Sequence, residues 1–168
     1  MNILIGNLCT LLAMGANAIS STRKTTKGVL SWQNLSQAIY FACAIILKGY
    51  SAAVQNVVSV LRNVAAIRNV KSKTVEWILT AAGVVLGVLF NNRGLVGLLP
   101  VVGNLQYTLA IFRFKDNERM LKLSFLISVL TFAIFNIVLL NFVGVVSDLT
   151  VVVTTAVVLI RDAKNNSR

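Results

Sequence analysis

Histidine is absent from this chain, and only five of its 168 residues are acidic. Without an imidazole the usual proton shuttle and general base are missing. No two carboxylates share an apolar run, and no nucleophile has a base nearby, so an enzyme is not expected. The two cysteines, Cys9 and Cys43, lie inside apolar runs with no CxxC spacing. They read as small apolar residues, which argues against a disulfide or a metal site. No cofactor is implied. Charge is scarce too, with 12% of residues charged against 57% apolar and a mean hydropathy of +0.79. A soluble protein of this length could not cover so much apolar surface. The net charge of +11 raises the question of nucleic acid. A nucleic-acid binder concentrates Lys and Arg on one face or groove. Here they fall in short clusters between uncharged runs about 16 to 25 residues long, the length of a membrane span. The partner this composition predicts is therefore the lipid bilayer.

Seven spans account for the apolar runs. The first occupies residues 1–22. Ala16-Asn17-Ala18 resembles a cleavage site, but no Lys or Arg precedes the apolar run as a signal peptide requires, so an uncleaved span is expected. The second runs from Gly28 to about Leu47, with Trp32 as an interfacial anchor. A turn at Lys48-Gly49-Tyr50 leads into the third, which ends at Arg68, Lys71 and Lys73. Trp77 to Asn92 forms the fourth and Leu95 to Phe112 the fifth. From Leu123 to Ile160 there are 38 residues whose only charge is Asp148. A single helix of that length would be about 57 Å long, nearly twice the hydrocarbon core. It must fold back, and Asn141 to Gly144 is the expected place.

The basic residues set an orientation. With the N-terminus outside, inward-facing segments carry Arg23, Lys24, Lys27, Arg68, Lys71, Lys73, Arg113, Lys115, Arg119, Lys122, Arg161, Lys164 and Arg168. Outward-facing loops carry Lys48 and Arg93 alone. Thirteen against two is a strong positive-inside signal, and it predicts N-terminus outside, C-terminus inside.

Arg62 is the exception, lying within a span. Gln55, Asn56, Ser59, Arg62 and Asn63 gather within about a third of a helix circumference. Each unsatisfied polar group in hydrocarbon costs several kcal/mol, as an order of magnitude, so this stripe must face other helices or water. Two readings of Arg62 stay open: it lines a cavity, or it snorkels to the inner headgroups. Span 1 offers Asn7, Thr10, Met14, Asn17 and Ser21 on one face. Span 2 offers Gln33, Ser36, Gln37 and Tyr40, span 5 Asn104, Tyr107 and Thr108, and span 6 Ser124, Ser128 and Thr131. Span 4 has almost nothing polar but carries Gly83 and Gly87 at close-packing spacing. Hydrogen bonding between helices is the alternative use of all these polar groups.

Spans 1–3 and 5–7 share an orientation because one span separates them. Gly6-Asn7-Leu8 echoes Gly103-Asn104-Leu105, and Ile67-Arg68-Asn69-Val70-Lys71 echoes Ile160-Arg161-Asp162-Ala163-Lys164. In that register Gln55 matches Asp148. The fold class expected is an all-α membrane protein with seven transmembrane helices, in a 3+1+3 arrangement of two parallel three-helix repeats. The repeats are 1–73 and 95–168, with 74–94 as a linker helix.

Leu98-Leu99-Pro100-Val101-Val102-Gly103, the arginine-bearing third span and Phe135-Asn136 together resemble the bacterial YgjV-type inner-membrane family. That family is similar in plan to the SWEET, PQ-loop and PnuC-type facilitators. The resemblance implies a multi-pass protein of the bacterial inner membrane and, by analogy, a pathway for a small polar solute. Pro100 is the only proline, so the paired PQ motifs of those transporters are missing. The expected site is central, with Arg62, Asn56, Ser59, Asn7, Asn104 and Asn136 around the solute. Asp148, the only acidic residue within a span, is the expected proton or cation site, nearer the outer face. A non-transporting scaffold or accessory subunit is the alternative, and a homo-oligomer is compatible with either.

Overall fold

Each uncharged run folds as one helix. The computed structural model describes residues 2–21, 26–68, 70, 72–114 and 118–165. Among these are seven α-helices and no strand: α1 Asn2–Ser21, α2 Thr26–Ile46, α3 Tyr50–Ile67, α4 Lys73–Leu89, α5 Leu99–Arg113, α6 Glu118–Val138 and α7 Phe142–Asn165. A 3-10 turn over Gly94–Leu98 leads into α5. Pro100 sits in the first turn of α5, where its missing N–H leaves no broken bond. Together the 3-10 turn and α5 extend about 32 Å, enough to reach across a hydrocarbon core. Helices long and apolar enough to span by length and composition alone are found at Asn2–Ile19 and Phe142–Arg161. The others are shorter or diluted by polar stripes that point inward.

Burial is inverted relative to a soluble protein. Leu4 and Leu12 of α1, Trp77, Ile78 and Leu89 of α4, and Val146, Val153 and Ile160 of α7 are exposed. Much of the buried set is small or polar, including Ala13, Ala52, Ala53, Ser36, Ser51, Gln55, Asn104, Thr108 and Ser128. Water rejects such an exterior, whereas lipid tails solvate it and leave polar groups to find partners inside.

α1 packs on α2 and α2 on α3; α5 packs on α6 and α6 on α7. α4 bridges α3 and α5, and the two sets meet where α1 touches α7 and α3 touches α5. The α2–α3 and α6–α7 turns have the same construction. Lys48 and Leu140 both adopt left-handed backbone, with φ of 57° and 56°. In each turn the next amide reaches back five residues, Gly49 N to Ala44 O at 2.7 Å and Asn141 N to Asn136 O at 3.0 Å. This is the Schellman way of satisfying the last helical carbonyls. The reversal before α7 thus lies at Leu139–Asn141, slightly earlier than the expected Asn141–Gly144. Pairing the turns matches Gly49 with Asn141, so Asp148 aligns with Asn56 rather than with Gln55. The carboxyl-terminal echo misled by one residue because apolar helix ends tolerate a slip.

The two turns touch: a Cβ on Gly49 would lie 2.8 Å from Leu139 Cδ1. The loop before α5 joins them, with Asn92 Nδ2 donating to the Lys48 carbonyl at 2.8 Å and Arg93 Nη2 to that of Leu47 at 3.1 Å. One end of the bundle therefore holds Lys48 and Arg93. Lys27, Arg68, Lys73, Arg113, Arg119, Lys122, Arg161 and Lys164 lie at the helix ends opposite. Arg23, Lys24, Lys71, Lys115 and Arg168 fall outside the described residues.

Arg93 has a structural task, because a cation that caps terminal carbonyls also complements the helix dipole. Arg93→Ala is expected to lower stability by about 1–2 kcal/mol. Thermal unfolding in detergent checks this, and Arg93→Lys should restore part of the loss.

Candidate functional site

A cavity of about 310 Å³ lies between the helices, at the lower end of the range for ligand pockets. It is lined from α1, α2, α3, α5, α6 and α7, and no lining residue comes from α4. Towards the two turns Leu47, Phe135 and Leu139 line it and belong to a buried apolar cluster with Ala44, Ala52 and Ala53. Most of the polar lining lies on the basic side of that cluster, and Asn141 lines the cavity at the turn itself.

Arg62 projects from α3 towards α5. Its Nη1 donates to Asn104 Oδ1 at 3.2 Å and to Thr108 Oγ1 at 3.0 Å. The guanidinium also lies 5.5 Å from the centre of the Tyr107 ring, within cation–π range. Of the two readings of Arg62, this geometry is that of a cavity-lining group held between helices, not of a side chain reaching for headgroups. The network continues outward. Asn104 Nδ2 donates to Gln55 Oε1 at 2.7 Å, and Gln55 Nε2 donates to the Gly83 carbonyl of α4 at 2.8 Å. Ser59 Oγ is 3.5 Å from Asn104 Oδ1.

Gln55 is 2% exposed, so its amide is fully committed to α4 and α5 rather than to the cavity. Gly83 and Gly87 allow this approach: a Cβ on Gly87 would lie 2.5 Å from Gln55 Nε2 and 2.7 Å from Val101 Cγ2. The small-residue spacing in α4 is thus a real packing feature, and through Gln55 the otherwise apolar α4 supports the arginine.

The second polar cluster belongs to α6 and α7. Asn136 Nδ2 donates to Asp148 Oδ2 at 2.8 Å, Asn141 Nδ2 donates to Asn136 Oδ1 at 3.0 Å, and Gly144 N donates to Asn141 Oδ1 at 3.2 Å. Tyr40 and Ser147 stand beside Asp148. Asp148 lines the cavity seven residues into the chain from Asn141, closer than Arg62 to the end that holds Lys48 and Arg93.

Five of the six residues expected around a solute line this cavity, namely Arg62, Asn56, Ser59, Asn104 and Asn136, and Asp148 joins them. Asn7 does not. Its amide donates to the Leu140 carbonyl at 3.0 Å and accepts from Val143 N at 2.9 Å, fastening α1 to the start of α7. The echo between Asn7 and Asn104 falls on corresponding helices but at different depths, so only one asparagine reaches the cavity. Most of the polar face expected on α1 is likewise used for packing. Thr10 donates to the Gly6 carbonyl, and Ser36 of α2 donates to the Ala13 carbonyl. Asn17 is the lining residue from α1, and the side chain of Ser21 lies outside the described set. Gln33, Gln37, Tyr40, Tyr107 and Asn141 also line the cavity. All but Asn141 were visible as polar faces. Asn141 looked like turn chemistry, and its five-residue spacing from Asn136 was the available signal.

A lipid-compatible exterior around a polar cavity defines a helical membrane protein. A family described as a bacterial inner membrane protein, Imp-YgjV, matches residues 4–166. The chain belongs to that family, and its place is the bacterial inner membrane. No curated protein and no solved structure matches it.

Proposed function

We propose that the protein is a non-enzymatic facilitator of a small polar solute, bound centrally between two parallel three-helix repeats, 1–73 and 95–168. The observation that carries this reading is the cavity itself. It collects polar side chains from all six repeat helices and none from α4, the linker at 74–94. Structural hydrogen bonding alone would not require an open volume there. In this reading all seven helices span the membrane, and the positive-inside rule puts the N-terminus outside and the basic end in the cytoplasm. Most of the polar lining then lies on the cytoplasmic side of the Leu47–Phe135–Leu139 cluster.

Proteoliposomes loaded against a panel of vitamins, nucleosides and small sugars test the proposal. Saturable flux of at least one compound is the expected result. No flux, together with copurification of a stoichiometric protein partner, would return the scaffold alternative. Asp148→Asn should remove any dependence of that flux on pH, since Asp148 is the one acidic lining residue among the described residues.

A further inference from the structure

Among the described residues the cavity is lined by one cation and one anion, and they do not neutralise each other. The described partners of the Arg62 guanidinium are the uncharged Asn104, Thr108 and Tyr107. That of the Asp148 carboxylate is the uncharged Asn136. Among the described residues both hydrogen bonds of Arg62 leave from Nη1, and the bond to Asp148 uses Oδ2. Nε, Nη2 and Oδ1 remain for a ligand. A buried charge left without a counterion is costly, so two such charges facing one cavity suit a ligand that supplies both complements.

Their separation narrows the class. The two turns touch, so positions can be counted inward from Gly49 and Asn141. Asp148 is seven residues along and Arg62 thirteen, a difference of about 9 Å of helix axis. An α-amino acid, whose charges are adjacent, spans less of that depth than a solute whose charged groups stand several bonds apart. Resting on the facilitator reading above, we infer that the solute is a zwitterion with its charged groups several bonds apart. Its anionic group lies on Arg62 and its cationic group on Asp148. Tyr40 and Phe132 line the cavity and suit an organic ammonium and an alkyl spacer.

Binding to the purified full chain, measured by calorimetry, tests this with 6-aminohexanoate, glycine, hexanoate and hexylamine. 6-Aminohexanoate is expected to bind at least tenfold more tightly than the other three. Asp148→Asn keeps an acceptor for Asn136 and should weaken 6-aminohexanoate at least tenfold while leaving hexanoate unchanged. Arg62→Gln should do the same with hexylamine unchanged. If that variant does not fold, Arg62→Lys keeps the charge and should retain the preference for 6-aminohexanoate over hexylamine. Hexanoate binding as tightly as 6-aminohexanoate would overturn the inference. So would flux of a neutral sugar or nucleoside with no competition from 6-aminohexanoate, which leaves the solute pathway itself standing. No binding and no flux from any compound removes both.

Discussion

Arg62→Ala is expected to abolish solute binding while lowering stability by about 2 kcal/mol, because large opposing effects partly cancel. Deleting the guanidinium removes two hydrogen bonds from a charged donor, each worth about 1.5–3 kcal/mol. It also removes a cation–π contact of about 0.5–1 kcal/mol. Against this, an arginine at membrane depth costs about 2.5–3.5 kcal/mol on insertion scales, and alanine is free of that cost. Asn104 keeps its bond to Gln55, and Thr108 can turn its hydroxyl back to its own helix. Binding has no such compensation, because no other cation lines the cavity among the described residues. Calorimetry together with thermal unfolding of the variant separates the two. Retained binding with poorer membrane insertion would restore the snorkelling role.

Gly87→Ala should be a strongly damaging single-methyl change, at about 1–3 kcal/mol for overpacking alone. The added carbon would meet Gln55 Nε2 at 2.5 Å and Val101 Cγ2 at 2.7 Å. Valine is stiff at χ1 and cannot yield easily. Moving Gln55 breaks its bond to the Gly83 carbonyl and leaves a buried amide unsatisfied, adding about 1–3 kcal/mol. The disturbance passes through Asn104 to Arg62, so solute affinity should fall although Gly87 does not line the cavity. Two control substitutions calibrate the effect. Gly83→Ala meets its nearest atoms at 3.5 Å, ordinary van der Waals contact, and Gly15→Ala meets nothing within 4 Å. Thermal unfolding should rank Gly87 far below the other two. Equal melting temperatures would show that α4 is loosely packed and carries no support to the arginine.

Several features were legible before any coordinates. Helix number and approximate ends follow from runs without charge, whose lengths match a hydrocarbon core. The polar stripe on α3 was legible for the same reason, since helical periodicity turns spacing into a face. Arg62 and Asn104 were named on that basis and Asn136 from the family resemblance, and all three reach the cavity. Asn7 fitted the same rule and does not reach it. Asp148 was placed nearer the outer face than Arg62, and it lies closer to the end that holds Lys48 and Arg93.

The sequence by itself thus determined the helices, the segregation of basic residues and the faces that had to be hidden from lipid. Each depends on local composition and period. Only the tertiary structure decided which hidden groups bond to one another and which surround open space. Serine, threonine and asparagine satisfy themselves equally well against a neighbouring carbonyl or a ligand, so their identity carries no such information. The depth at which two helices meet, and the single bare face of Gly87 that lets Gln55 reach α4, are properties of the packed bundle alone.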